Sequence, residues 1–560
     1  MSAAVVAPSK RVAVVGAGPS GLATVRELLA EGHRPTCFEQ AADLGGVFRY
    51  GEDGVVWESC RLTSSAPLTA FSDFPMGPGQ TGHLPVGEYV DYLRRYCTAF
   101  GVTPHLRFGT RVEAIEPHPD GGWRVRTRAA DGVAEERFEA VAICSGLHQH
   151  PHVPVFPGQD GFPGTIMHGA SYRRPADVAG KRVLIVGAGE SGADVVAEVA
   201  EHAAETVLSL RRGVGVQKRI SFGHPGDYRT SRLVHSTPQW VFQSRDPADD
   251  AKRRAYRWLC LPLVVVDKLL QLAHRAGWEL LPLVRARRAE ERRVNVETWR
   301  LTKRLLHESG GALAEQFGTK SDEFVRAIAR GRCRRVGAIA RFDGPRIQFE
   351  DGAHCEPDLV ILCTGFETRL PMLDPALAAA PRYLHTIHPA IGASLGFIGF
   401  LRPAFGAIPP LAELQARWFA LLQSGTRTLP SAETMAAAIA HWTEVRASYF
   451  RPVGDRLGHL VDHTSFCDAL ASEIGCKPTR AALRRERRAF RRRFYAAPFV
   501  AAQYRMVGPH AAPDVARAVI GALPVVHTPP ELGYLHLRWL ASRALHLVLG
   551  PAFAPKLALD

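Results

Sequence analysis

Two stretches of the chain share one pattern of apolar and polar positions. Arg11 to Gly21 reads RVAVVGAGPSG, a short β-branched run closed by three glycines, and LATVRELLAEGH follows with apolar residues at helical spacing. Lys181 to Gly192, KRVLIVGAGESG, repeats it ahead of ADVVAEVAEHAAETVLSL. Each predicts a buried strand, a tight glycine turn and an amphipathic helix. Ala140 to Gly146 (AVAICSG) and Asp358 to Phe366 (DLVILCTGF) read as buried strands ending in small-residue turns, as expected where the carboxyl edge of a parallel sheet meets a ligand. The tail, LGYLHLRWLASRALHLVLGPAF, predicts an amphipathic helix too polar to span a bilayer.

These elements predict an α/β chain with two Rossmann-like dinucleotide-binding domains, one inserted into the other. The outer domain is expected at 8–165 and 336–525, the inserted one at 166–335, and the amphipathic tail at 526–560. Between Ala251 and Arg293, basic residues flank a mostly apolar stretch interrupted by Pro262, Asp267, Lys268 and Pro282. It reads either as an interfacial insertion, at about 250–295, or as a buried helical hairpin with solvated ends.

Composition changes this picture little. With 46% hydrophobic and 22% charged residues in 560, the chain is an ordinary globular protein and not a disordered one. The net charge of +14 is concentrated. Arg480 to Arg493, RAALRRERRAFRRR, holds eight Arg and one Glu, and the i, i+4 spacing of Arg480, Arg484, Arg488 and Arg492 predicts a basic helical face. No aromatic platform or recognition motif accompanies it, which argues against nucleic acid and leaves a solvated face or a peripheral membrane contact. The ten cysteines form no CxxC pair, so neither a disulfide framework nor a zinc finger is expected. MSAAVVAPSK lacks the features of a secretory signal, and the expected location is cytoplasmic, with any peripheral contact on the inner face of a membrane.

The chemistry lies in the glycine loops. A bare G-x-G-x-x-G arises by chance about 0.4 times with 51 glycines, so the strand and helix context carries the weight. Gly16 permits the turn, Gly18 lets the backbone approach a pyrophosphate, and Gly21 allows close helix packing. Glu39, ending RPTCFEQ, stands where an acid accepts from ribose hydroxyls, which suits FAD or NAD. The second loop, with Gly187, Gly189, Ser191 and Gly192, is followed by Arg211 and Arg212 and no acid. Guanidinium groups there suit the 2′-phosphate of NADP. Two unlike sites imply electron flow from NADPH to a flavin.

Phe162 to Tyr172, FPGTIMHGASY, fits F-x-G-x-x-x-H-x-x-x-Y, the signature of flavin-containing monooxygenases. The chain also resembles this family at FEQAADLGGVF, FSDFP (Phe71 to Pro75), CSGLHQHP (Cys144 to Pro151), LCTGF (Leu362 to Phe366), GAIPPLAELQARW and QYRMVGP. Related Baeyer–Villiger enzymes usually carry Trp where this chain has Tyr172. The resemblance implies that NADPH reduces FAD and that the reduced flavin takes up O₂ as a C4a-hydroperoxide. That species then passes one oxygen to a soft nucleophile, the nitrogen of an amine or the sulfur of a thioether. The rival outcomes are Baeyer–Villiger oxygenation of a ketone, and a weakly active NADPH oxidase or nucleotide-binding redox sensor.

Carried over by residue, the resemblance implies that Gly16, Gly18, Gly21, Glu39, Gly45, Gly46, Phe48, Ser145, Gly146 and Gly365 hold FAD. Gly187, Gly189, Ser191, Gly192, Arg211 and Arg212 would hold NADPH. No metal is expected: His148, His150 and His152 form H-x-H-x-H within a Pro-rich family loop. His168 and Tyr172 would keep the two domains in register. Relatives commonly place an Asn ten residues before the Asp of FSDFP, against the flavin peroxide, and this chain has Thr63. Thr63, with Ser64 and Ser65 as neighbouring hydroxyls, is the candidate catalytic group. A hydroxyl lacks the amide's reach and double donor set, so more leakage to H₂O₂ is expected. A homodimer is common among relatives, and the oligomeric state stays open.

Overall fold

The computed structural model describes residues 8–77, 79–221, 223–236, 289–310, 318–449 and 458–549, with Val265 and Leu269. The basic and apolar stretch expected at about 250–295 therefore lies outside the described residues, apart from those two and its last turns from Ala289 onward.

Two five-stranded parallel sheets dominate. The first runs Leu395–Phe397, Ala140–Ile143, Arg11–Val15, Arg34–Phe38, Leu106–Arg107. The second runs Arg334–Val336, Glu205–Ser209, Arg182–Val186, Leu359–Leu362, Thr165–His168. Beyond a leading Arg, their central strands Arg11–Val15 and Arg182–Val186 are apolar, because helices and β-layers cover both faces. The α/β class with one Rossmann-like unit inserted in another is thus realised: every strand of the second sheet falls between 165 and 362, and the first sheet is closed by a strand from beyond it.

One boundary shifts. Residues 336–362, expected in the outer domain, stay with the inserted one: Leu359–Leu362 pairs with Val183–Val186 on one side and Thr165–His168 on the other. An apolar run says that a strand is buried, not which parallel neighbour it chooses, and the two LxxGF-like turns are locally alike.

Helix Pro19–Ala30 lies on the first sheet and packs against helix Ile408–Gln423. The latter is buried along nearly its whole length, including Trp418, Glu413 and Arg417, and so reads as apolar all round with its polar groups paired inside. The basic run Arg480 to Arg493 forms two short helices, Arg480–Arg484 and Arg488–Ala496, instead of one continuous face. Leu483 and Phe494 are both drawn into the core, and Glu486 in the break pairs with Arg517. Helix Pro529–Leu549 exposes Leu537, Leu540 and Leu547. Among the described residues no helix is long and apolar enough to cross a membrane.

Candidate active site

Loops at the carboxyl edges of both sheets border one cavity of about 520 Å³. On the first side, Gly16 has φ +103°, and a Cβ there would stand 2.9 Å from the Cys144 carbonyl oxygen. A Cβ on Gly46 would stand 2.9 Å from the Gly18 Cα, and one on Gly21 would strike the Gly16 oxygen at 1.8 Å. The two loops thus meet backbone to backbone and leave a cradle that no larger side chain allows. No side chain caps helix Pro19–Ala30, so its first amides are left for an anion. Glu39 ends strand Arg34–Phe38 with its carboxylate accepting from Ala17 N at 2.7 Å and Ala41 N at 2.8 Å, fixed at the cavity wall. The Ser145 hydroxyl, on the same wall, is buried without a partner. A buried orphan hydroxyl beside an uncapped glycine cradle fits a bound dinucleotide, whose polar atoms would satisfy it.

On the second side, a Cβ on Gly192 would lie 2.2 Å from the Gly187 oxygen, so that helix Glu190–His202 packs down on its own loop. Its N-terminus also lacks a side-chain cap. Glu190, in the first turn, would repel phosphates, but Lys320 answers it: the Lys320 N–H donates at 3.0 Å and its ammonium lies 3.4 Å away. Burial pushes the Asp194 carboxyl up, against the pull of the Arg219 guanidinium 2.8 Å from it. Burial also pushes the Cys60 and Cys144 thiols up to about 12 and the His148 imidazole down to about 3, the last with help from Arg402 and His459.

The cavity gathers most of the expected residues. Gly16, Gly18, Glu39, Gly46, Phe48, Ser145 and Gly146 border it from the first side, and Ser191 from the second. Gly21, Gly45, Gly187, Gly189 and Gly192 do not border it; they shape turns and helix packing. Arg211 and Arg212 are exposed beyond the end of strand Glu205–Ser209, and Arg211 borders a separate cavity. Gly365 borders neither cavity, and its carbonyl accepts from His168 Nε2 at 3.0 Å and from the His152 N–H at 2.9 Å. The Ala170 N–H donates to His168 Nδ1, so the ring is neutral with its proton on Nε2. His168 therefore braces the second sheet internally. Tyr172 reaches across through its ring, which packs on Trp57 at 6.4 Å, while its hydroxyl donates to Glu198 of its own unit at 2.7 Å.

Of the three candidate hydroxyls, Thr63 and Ser64 border the cavity and Ser65 does not. The Ser64 hydroxyl donates to the Gly406 carbonyl at 2.8 Å, so toward the cavity it can only accept. Ser65 is held by its N–H, which donates to Asp227 at 2.7 Å. Among the described residues the Thr63 hydroxyl has no hydrogen-bond partner, and it keeps both capacities. Spacing gave no sign of Lys320, Asp227 or Arg402, which border or brace the cavity from distant segments.

The flavin-binding monooxygenase-like family model matches residues 9–242 and 281–527. A 4-hydroxybenzoate brominase (decarboxylating) of Marinomonas mediterranea is 32% identical over 538 residues, covering 93% of this chain and 95% of the relative. Flavin-containing monooxygenase 2 of Homo sapiens is 29% identical over 522 residues, 90% of this chain and 89% of its own length. Among solved structures, the S-allyl-L-cysteine S-oxygenase of Allium sativum matches with a TM-score of 0.58 at 22% identity, over 84% of this chain and 90% of that one.

Proposed function

The chain belongs to the flavin-binding monooxygenase-like family and is an NADPH- and FAD-dependent monooxygenase, and within that class we propose that it oxygenates a soft nucleophile, the nitrogen or sulfur of a small organic molecule. The observation that supports this reading is the make-up of the shared wall. Burial holds its imidazole and thiols, His148, Cys60 and Cys144, in their neutral forms, and Asp194 is tied to Arg219. An acceptor that brings its own lone pair, as amines and thioethers do, needs no wall group to deprotonate it.

Bound FAD, reduced by NADPH, supplies an electrophilic oxygen from O₂; the protein's part is binding, orientation and exclusion of water. Gly16, Gly18, Gly46 and the helix Pro19–Ala30 would hold the FAD pyrophosphate, Glu39 its ribose, and the Ser145 hydroxyl a polar atom of the cofactor. Gly187, Gly189, Ser191 and Gly192 would take the NADPH pyrophosphate, Lys320 offsetting Glu190, with Arg211 and Arg212 on the 2′-phosphate. Thr63 would donate a hydrogen bond at the oxygen-transfer point. The outer unit then comprises 8–165 together with the residues beyond 362, and the inserted unit 166–362.

The test is a panel: NADPH consumption and H₂O₂ release with a tertiary amine, a thioether, a ketone, and bromide plus 4-hydroxybenzoate, with products identified by mass spectrometry. The expected result is N-oxide or sulfoxide formed in step with NADPH. Ester or lactone alone, or a brominated phenol alone, would overturn it. The bromide arm is included because the brominase relative is 32% identical and a halide is itself a soft nucleophile.

A further inference from the structure

A second cavity, of about 890 Å³, lies beside the first, and Phe366 borders both. Its other walls come from 379–385, the helix Ala432–Tyr449 and 458–462. Arg211, Arg382 and Arg446 contribute guanidinium groups, His385 and His459 imidazoles, and Trp442 a flat apolar face that meets Phe466 edge-on at 5.8 Å. Two carboxylates share these walls, and both are engaged. Glu367 is bound by His152 Nδ1 at 2.9 Å and by Arg369 at 2.6 Å. Asp462 caps the helix His463–Ile474, accepting from the Ser465 N–H at 3.0 Å.

Arg382 is the focus of the imbalance. Its guanidinium lies over the Phe397 ring at 3.7 Å, one nitrogen donates to the Ala378 carbonyl, and its Nε is buried without a partner. Burial pushes it down to about 10. The imidazoles feel the same field. Burial, then Arg382 and Arg446, push His385 down to about 4, and burial, then Arg402, His385 and Arg446, push His459 down to about 4. A concave site whose described walls carry three guanidinium groups against two engaged carboxylates favours an anion. The site also touches the cofactor cavity: the Arg402 N–H donates to the His459 carbonyl at 2.9 Å, and Arg402 itself borders the first cavity.

We propose that this second cavity binds the acidic end of the substrate, an organic carboxylate that pairs with Arg382 and lays a flat apolar body between Trp442 and Phe366. Its oxidisable atom then points past Phe366 toward the cofactor. The direction of oxygen transfer rests on the monooxygenase reading above, whereas carboxylate binding does not, so binding is what the experiment measures.

FAD-loaded protein is titrated calorimetrically with benzoate, benzamide and inorganic phosphate, with and without saturating NADP⁺. Benzoate is expected to bind about tenfold or more tightly than benzamide, equally well with NADP⁺ present, as one charge-assisted hydrogen-bonded pair provides. Arg382→Met is expected to abolish that preference and to leave NADP⁺ binding unchanged. Equal binding of benzoate and benzamide, or an unchanged preference in Arg382→Met, overturns the proposal. Displacement of benzoate by NADP⁺, or phosphate binding as tightly as benzoate, also overturns it, because the cations then serve the dinucleotide. If Arg382→Met does not fold, as judged by circular dichroism and FAD content, Arg446→Gln replaces it, and the wild-type comparison stands regardless.

Discussion

Arg505 joins the helix of the first glycine loop to the rest of its domain, and replacing it tests how the cofactor cradle is held. Its side chain is fully buried. One guanidinium nitrogen lies 2.7 Å from Glu27 on helix Pro19–Ala30 and 2.8 Å from Glu413 on helix Ile408–Gln423, and 3.4 Å from Asp73. The others donate to Ser72 at 2.6 Å and to the His510 carbonyl at 3.0 Å. Arg505→Met keeps the length and leaves Glu27 and Glu413 buried without their shared cation. Removing one partner of a buried pair costs about 3–5 kcal/mol. Glu27 keeps Arg26 at 2.7 Å and His510 at 2.8 Å, so the lower end, about 3 kcal/mol, is expected.

The loss must depend on pH. Burial pushes the Glu27 carboxyl up, but Arg505, His510 and Arg26 outweigh it and hold the group below the usual carboxylate range. Its contribution is therefore present above the unfolded value and lost as pH falls. Glu413, pushed up by burial against the pull of Arg505, contributes in the opposite sense. Without Arg505 both carboxyls shift upward, and the variant loses ground as pH rises through the carboxylate range. Urea unfolding followed by circular dichroism is expected to show a deficit of about 3 kcal/mol at pH 8 that shrinks at pH 5. A deficit below about 1 kcal/mol, or one independent of pH, would refute the reasoning.

Substitutions at four positions probe the site itself. Gly46→Ala places a Cβ 2.9 Å from the Gly18 Cα at φ +55°, and is expected to give folded protein with little FAD, read from the ratio of flavin to protein absorbance. Arg211→Ala with Arg212→Ala is expected to raise KM for NADPH by about 10–100-fold while leaving NADH unchanged, the loss of one or two charge-assisted bonds; a parallel rise for NADH would deny them a phosphate. Thr63→Asn is expected to lower H₂O₂ released per NADPH and Thr63→Val to raise it, each by a few-fold, in a coupled peroxide assay.

What was legible in the sequence is what depends on neighbours along the chain. The Gly16 and Gly187 turns, the strands feeding them and Glu39 at a strand end are all local patterns, and they fall where spacing put them. What escaped depends on pairing at long range. Leu359–Leu362 was recognisable as a buried strand, but its place between Thr165–His168 and Arg182–Val186 is decided by register with both. Lys320 reaches Glu190 across 130 residues, and Asp227 reaches Ser65 across 162. The basic run misled for a related reason: its i, i+4 arithmetic is sound, but Glu486 finds Arg517 and breaks the helix. Arg382 carried no motif, since its meaning comes from the cavity that distant segments close around it.

The segment carrying Thr63 belongs by sequence to the outer domain, where Ser64 donates to Gly406, and the inserted domain holds it as well. Trp57 packs on Tyr172, the Glu58 N–H donates to the Arg173 carbonyl at 2.9 Å, and the Tyr228 hydroxyl to the Thr81 carbonyl at 3.1 Å. Nearest the cavity, Ser65 N–H donates to Asp227 at 2.7 Å, two residues from Thr63. A displacement of the second sheet therefore carries the Thr63 wall with it, so the nicotinamide side and the oxygen side cannot be set independently. Asp227→Ala removes the nearest tie, a charged hydrogen bond of about 1.5–3 kcal/mol, without touching either glycine loop. H₂O₂ release per NADPH should rise several-fold with KM for NADPH unchanged, and Asp227→Asn, which keeps an acceptor, should restore coupling. An altered KM with unchanged coupling would mean that the wall is set from the outer domain after all.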